Sequence, residues 1–198
     1  MKNKILSVVC LVLLTGCSLK PLDVKEQKTY LLVPGIFVPL SKHTSPKTLL
    51  VTVPAADPGY QTAAMAYMRT PYQLQYYTQN RWVDAPAQLI LPWVVEALRK
   101  THGFSQVVSP PYTSHLNLRL DLRLVELFQD FTLRPSVVHF KLHAQLIDMN
   151  TQQILGSHDC VVTKPAPSEN PRGAVGGANR ALSLCLSELS DFVVKVGS

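Results

Sequence analysis

The sequence predicts an α+β fold, a mostly antiparallel β-sheet with two helices packed on one face. Three observations carry that expectation. Leu116, Leu118, Leu120, Leu122 and Leu124 alternate with Asn117, Arg119, Asp121 and Arg123, the period-two pattern of a strand with one buried and one wet face. Val138, Phe140, Leu142, Ala144 and Leu146 repeat the pattern. Val175, Ala178, Leu182, Cys185, Leu186, Leu189 and Val193 fall on one helical stripe near the end of the chain.

The elements follow in order. Tyr30 to Val33 reads as a short strand ended by Pro34, and Thr48 to Val53 as a second, stopped by Pro54, with a loop around Ser41 to Lys47. Ala63 to Met68 and Tyr72 to Thr78 form a strand pair joined at Thr70-Pro71, with Tyr72, Leu74 and Tyr76 sharing a face. A helix starts near Asp84, a capping residue, with Pro86 in its first turn. Pro92 inside it removes one hydrogen bond and predicts a kink. Gly103, after Arg99, Lys100 and His102, predicts its stop. Phe104 to Val108 is the next strand. The Leu116–Leu124 pattern changes phase at Val125 and Leu127, which predicts a bulge. Asn150-Thr151 then turns the chain into a strand over Gln153 to Thr163, a proline-rich loop covers Lys164 to Pro171, and the last helix spans about Gly173 to Val194. Strands, helix, strands, helix is the order of a two-layer domain.

The beginning of the chain reads differently. Lys2 and Lys4 precede an apolar run, Ile5 to Leu14, broken only by Ser7, and Leu14-Thr15-Gly16-Cys17 closes it. That is a secretion signal, about half the roughly 20 residues a spanning helix needs. It resembles the lipobox of bacterial lipoproteins. The resemblance implies cleavage after residue 16, a diacylglyceryl thioether and an N-acyl group on Cys17, and no other cofactor. It also makes Ser18 the sorting residue: serine after the lipidated cysteine favours the outer membrane, aspartate the inner. The domain expectation is therefore 1–16 signal, 17–28 lipidated tether and 29–198 one periplasmic domain. The eleven-residue tether reaches roughly 35–40 Å extended and roughly 20 Å relaxed.

The 182 residues left after position 16 suit one domain with a sizeable core. Apolar residues make up 46% and charged ones 16% of the chain, a globular rather than a disordered balance. The net charge of +6 is not gathered into a run, which argues against nucleic acid. Of four cysteines, Cys10 leaves with the signal and Cys17 takes the lipid. Cys160 and Cys185 remain as a candidate disulfide in an oxidising compartment, or as two buried thiols.

Catalytic signals are poor. No G-x-S-x-G elbow, phosphate-binding Walker loop or HExxH is present. Gly173, Gly176 and Gly177 read as a loop-to-helix transition, not an anion site, because no strand leads into them. His139 and His143 share a strand face. A turn centred on Asn150-Thr151 pairs positions that sum to 301, which sets His143 opposite His158, three imidazoles that zinc could bind. With no carboxylate or supporting partner in evidence, solvent-facing histidines and no metal are expected. The same register points Cys160 to the wet face, and a one-residue shift turns it toward Cys185. Leu155 and Val161 favour one phase, Ile154 and Val162 the other. Tyr60, Tyr67, Tyr72, Tyr76, Tyr77 and Trp82 form a dense aromatic group, read as cross-strand packing or as a contact surface.

Over nearly the whole mature chain the sequence resembles the ABC-type transport auxiliary lipoproteins, the Pqi-type partners of MCE-protein lipid transport systems. The resemblance rests on the lipobox followed by Tyr30-Leu31-Leu32, on Tyr67-Met68-Arg69, Tyr76-Tyr77 and Arg81-Trp82 leading into the helix and Phe104, on the Leu116 to Phe128 strand, and on the final Ala/Leu helix. Pro92 and the Cys160/Cys185 pair depart from it. It implies a non-enzymatic envelope protein, lipid-anchored on the periplasmic face of the outer membrane rather than the inner. Its partners would be a periplasmic MCE-domain protein and its ABC transporter complex, with no nucleic acid, and copies of the chain would form a homo-oligomeric ring. Arg69, Tyr76, Tyr77 and Trp82 are the candidate partner surface. An assembly or secretion-pilot lipoprotein of the outer membrane is the alternative, and a lipid-binding or metal-dependent enzyme the third class.

Overall fold

The computed structural model describes residues 26–112 and 115–197. Cys17 and Ser18, with the lipid and sorting roles assigned to them, lie outside the described residues. The strands are β1 (Lys28–Tyr30), β2 (Ser45–Val51), β3 (Ala55–Ala56), β4 (Ala64–Thr70), β5 (Gln73–Trp82), β6 (Phe104–Val108), β7 (Leu118–Asp130), β8 (Val137–Asp148) and β9 (Ile154–Pro165). The helices are α1 (Pro86–Lys100) and α2 (Pro171–Gly197), and Pro58–Tyr60 forms one 3-10 turn.

The class is α+β, with a sheet that is partly parallel. β7, β8 and β9 form a long antiparallel meander, and β4 and β5 an antiparallel hairpin. The other edge of β7 is shared end to end by β2, β3 and β4, all parallel to it: Leu49 lies beside Leu118, Ala55 beside Arg123 and Ala66 beside Phe128. β6 extends the sheet beyond β2, and β1 beyond β5, again in parallel. The register of β7 on β8 shifts between Leu124 and Glu126. The bulge at Val125 keeps Leu127 on the buried face after the change of phase.

Both helices cover one face of the sheet. Leu118, Leu120 and Leu124 of β7 and Phe140, Leu142 and Leu146 of β8 meet Ala178, Leu182, Leu186 and Leu189 of α2, while Ile90, Val94 and Leu98 of α1 complete the same core. Each fully buried leucine contributes about 1.5–3 kcal/mol. Gly177 lets α2 approach closely, since a Cβ there would stand 2.4 Å from Val138 Cγ2.

Several ends differ from the sequence reading. β1 starts at Lys28, inside the segment assigned to the tether, and leaves the sheet after Tyr30 because Leu32 turns into the core. Asp84 does not cap α1. Its carboxylate accepts the N–H of Ala85, and the helix starts without a side-chain cap. The helix runs on through Pro92, which lies on its exposed side. The left-handed residue after α1 is His102 (φ 55), not Gly103. Gly103 is needed for packing instead, with Val194 Cγ2 only 2.7 Å from where its Cβ would be. α2 begins at Pro171, two residues before the expected glycine, with the Asn170 side chain accepting the Gly173 N–H (3.2 Å).

Candidate functional site

The β4–β5 hairpin closes through Thr70 to Tyr72, where Tyr72 takes a positive φ of 66°. Tyr67 pairs with Gln75 across it, so Tyr77 is its diagonal neighbour, within reach of a large ring. The two ring centroids are 4.4 Å apart. Phe131, just beyond β7, meets Tyr67 edge-on at 6.1 Å. The Arg69 guanidinium lies over both, 4.9 Å from the Phe131 ring and 5.6 Å from that of Tyr67, a cation–π arrangement that holds the charge in place without neutralising it. Arg69, Phe131, Arg134 and Glu169 line a cleft of about 510 Å³.

A buried polar relay braces this cleft. Tyr77 Oη donates to Gln129 Oε1 (3.4 Å), and the fully buried Gln129 donates through Nε2 to Ser136 Oγ (2.9 Å) and the Ser168 carbonyl (3.2 Å). Glu169 Oε1 accepts the Ser136 N–H at 2.8 Å. The hairpin, the β7–β8 connection and the β9–α2 loop are thus tied together behind Arg69. Burial pushes the Tyr77 hydroxyl up to about 12, against the opposing pull of Arg69. Tyr77 is therefore a neutral donor at physiological pH. Two arginines beside one glutamate on an aromatic floor suit recognition of a carboxylate and neighbouring backbone groups on a protein surface.

The four residues chosen from sequence do not form one surface. Arg69 and Tyr77 come together in the cleft. Tyr76 points to the opposite face of β5, is 43% exposed, and donates to the Gly59 carbonyl (3.0 Å). Trp82 is corrected to a core residue, 2% exposed, because the end of β5 runs beneath the helices. Tyr60 is also half-buried, and desolvation raises its hydroxyl to about 12. Phe131, Arg134, Gln129 and Glu169 were missed; each is a lone residue in a connection or a strand end, without a pattern of its own.

The histidines separate. β8 and β9 pair in a register one residue from that expected, with His143 opposite Asp159 and Ala144 opposite His158. A shift between Leu146 and Ile147 absorbs the extra residue. His143 Nδ1 lies 2.7 Å from Asp159 Oδ1, a hydrogen bond that holds the Asp159 carboxyl below its ordinary range. His158 stacks on Phe192 of α2 at 5.3 Å, and His139 on Phe128 at 4.8 Å. Among the described residues no group of three His, Cys, Asp or Glu is placed to hold a metal ion. The same shift turns Cys160 inward, opposite Leu142. There it meets Cys185 of α2. Both thiols are buried and unbonded to each other, and burial together with the contact to Cys160 pushes the Cys185 thiol well up.

No helix among the described residues is long and apolar enough to cross a membrane. No curated protein sequence matches the chain. The fold is shared with a crystal structure of a Xanthomonas campestris protein of the family DUF330, at a TM-score of 0.73 and 19% identity over 86% of this chain and 96% of that one. It is shared also with the crystal structure of an uncharacterized protein, at a TM-score of 0.65 and 14% identity over 88% of this chain and all of that one. The family model for the ABC-type transport auxiliary lipoprotein component matches residues 34–190, so the chain belongs to that family.

Proposed function

We propose that this protein is the lipid-anchored periplasmic accessory of an MCE-type lipid transport system. It docks the periplasmic MCE assembly to the outer membrane, while an ABC transporter elsewhere supplies the energy. Family membership supports the auxiliary role. The observation that carries the docking role is the Arg69 cleft, where a braced, still-charged guanidinium on an aromatic floor faces outward beside Arg134 and Glu169. Such rigid Arg and Tyr groups are the usual anchors of protein interfaces. A lipid on Cys17, with Ser18 directing it to the outer membrane, would tether the domain that carries this cleft to that surface. Copies assemble into a ring through strand edges, of which β9, paired only with β8, is the longest.

The test is affinity purification of the full-length protein from mild-detergent envelope extract, with mass spectrometry of the partners and of the Cys17 peptide. An MCE-domain protein and ABC subunits with acylated Cys17, both partners lost in Arg69→Glu, are expected. An outer-membrane assembly or secretion machine in their place moves the protein to the pilot class. An unacylated, partnerless protein refutes the proposal.

A further inference from the structure

Between β1 and β2 the chain crosses the outside of the helix layer as a strap. Three contacts fix it. The Leu32 carbonyl accepts Trp93 Nε1–H (3.0 Å), the Val33 N–H donates to Asn179 Oδ1 (2.9 Å), and the Ser41 N–H donates to the Thr101 carbonyl (2.7 Å). Leu32 turns into the core and Ile36 and Val38 pack against it, while four other large side chains of the strap face outward: Leu31 and Val33 are exposed, Phe37 is 79% and Leu40 72% exposed. Leu184 of α2 is exposed beside them. A groove of about 520 Å³ runs between Phe37 and Leu184, with Lys164 and Arg180 on its rim. Farther along α2 Leu40 lines a second groove with Lys42 and Lys195, where Asp191 is the one acid among the described residues.

Large apolar side chains gathered on one exposed segment mark an interaction surface. Apolar side chains ringed by Lys and Arg are suited to the headgroup–acyl boundary of an anionic lipid layer. We propose that the strap and the adjoining side of α2 lie against anionic phospholipid in the membrane that holds the protein, with Phe37 and Leu40 inserted. The inference rests on the anchored reading above. Cys17 stands fourteen residues before Leu31, and a relaxed chain of that length spans roughly 20 Å. The strap is thus held within reach of the lipid surface, and its net positive rim complements phosphate charge.

The experiment uses the full-length acylated protein in vesicles of phosphatidylcholine with phosphatidylglycerol. Phe37→Cys, Leu40→Cys and, as a control on exposed β5, Gln79→Cys each carry an environment-sensitive dye. Cys160 and Cys185 are buried, and Cys17 is blocked by its lipid. Shallow doxyl-lipid quenching at positions 37 and 40 but not at 79, weakened about fivefold or more by Lys42→Glu with Lys164→Glu, is the expected result. Vesicle-bound protein with positions 37 and 40 in water overturns the inference and leaves the anchor standing. Equal quenching at position 79 overturns it too. Protein that fails to float with vesicles overturns the anchor and the inference together. A dye shift that grows with protein concentration and ignores doxyl lipid assigns the strap to a second copy, and also overturns it.

Discussion

Replacing Gly177 by alanine tests how closely α2 must approach the sheet. Alanine favours a helix interior over glycine by about 1 kcal/mol, so propensity alone predicts stabilisation. The structure predicts the reverse. The new Cβ would lie 2.4 Å from Val138 Cγ2 and 2.9 Å from Val138 Cβ, against an ordinary carbon–carbon contact of about 3.5–4.0 Å. Val138 is buried on β8, which is held between β7 and β9, so neither side yields easily. Overpacking of this kind costs about 1–3 kcal/mol, and a steric gap of this size belongs near the upper end. After the helix gain, Gly177→Ala is expected to lose about 1–2 kcal/mol, which for a domain of this length lowers Tm by roughly 2–8 °C. Urea unfolding followed by circular dichroism measures it. Val138→Ala removes both methyls, so the double variant should lose at least about 1 kcal/mol less than the two single losses together. A Gly177→Ala protein as stable as the parent, or more so, would refute the reasoning.

Gln129→Leu leaves Tyr77 Oη, Ser136 Oγ and the Ser168 carbonyl without their buried partner; a loss of about 2 kcal/mol is expected in the same unfolding assay, with weaker partner capture because Arg69 loses its bracing. Burial pushes the Asp130 carboxyl up, but the Thr132 hydroxyl and N–H (2.6 and 2.8 Å) and nearby His139 outweigh it and hold Asp130 below its ordinary range. The folded value is depressed, so the carboxylate's contribution is present above the unfolded value of about 3.9 and fades as pH falls through the lower, folded one. Asp130→Asn should therefore be less stable than the parent at pH 6, with the gap closing in strong acid; a gap that stays constant across an acid titration rules this out. Cys160 and Cys185 should close into a disulfide when the protein is exported to an oxidising envelope, seen as a cross-linked peptide by mass spectrometry. The bond should raise stability by about 3 kcal/mol over the reduced form, and a reduced pair in protein taken from the envelope counts against it.

The parts of the fold legible in the sequence are those with local pattern. Alternation from Leu116 to Leu124 and its change of phase at Val125 gave β7 and its bulge, and the helical stripe gave the buried side of α2. The parallel joining of β2, β3 and β4 to β7 was not legible, because partners some sixty to seventy positions apart leave no periodic trace. The β8–β9 register missed by one residue through an irregularity at Ile147, and that single step exchanged the His143–His158 pair for His143–Asp159 and turned Cys160 inward. Half of the candidate surface was visible as Tyr67, Arg69 and Tyr77. The other half comes from Phe131, Arg134 and Glu169, which only the tertiary fold collects. Trp82 shows the limit of composition: an aromatic suits a wet interface or a core equally well, and its position on the strand decides.

The three-piece edge of β7 has a consequence for biogenesis. β2, β3 and β4 precede β7 in the chain, and although β2 can pair with β6 and β4 with β5, the strand that joins all three is complete only when residue 130 has emerged. A polypeptide threaded across a membrane from its N-terminus therefore holds Leu49, Leu50, Val51 and Met65, all buried in the finished protein, open to solvent through much of its passage. Pairings so distant in sequence form slowly, and such intermediates aggregate readily. A periplasmic holding chaperone would have its longest occupancy on this first third of the domain, and its release would be timed by the arrival of one strand.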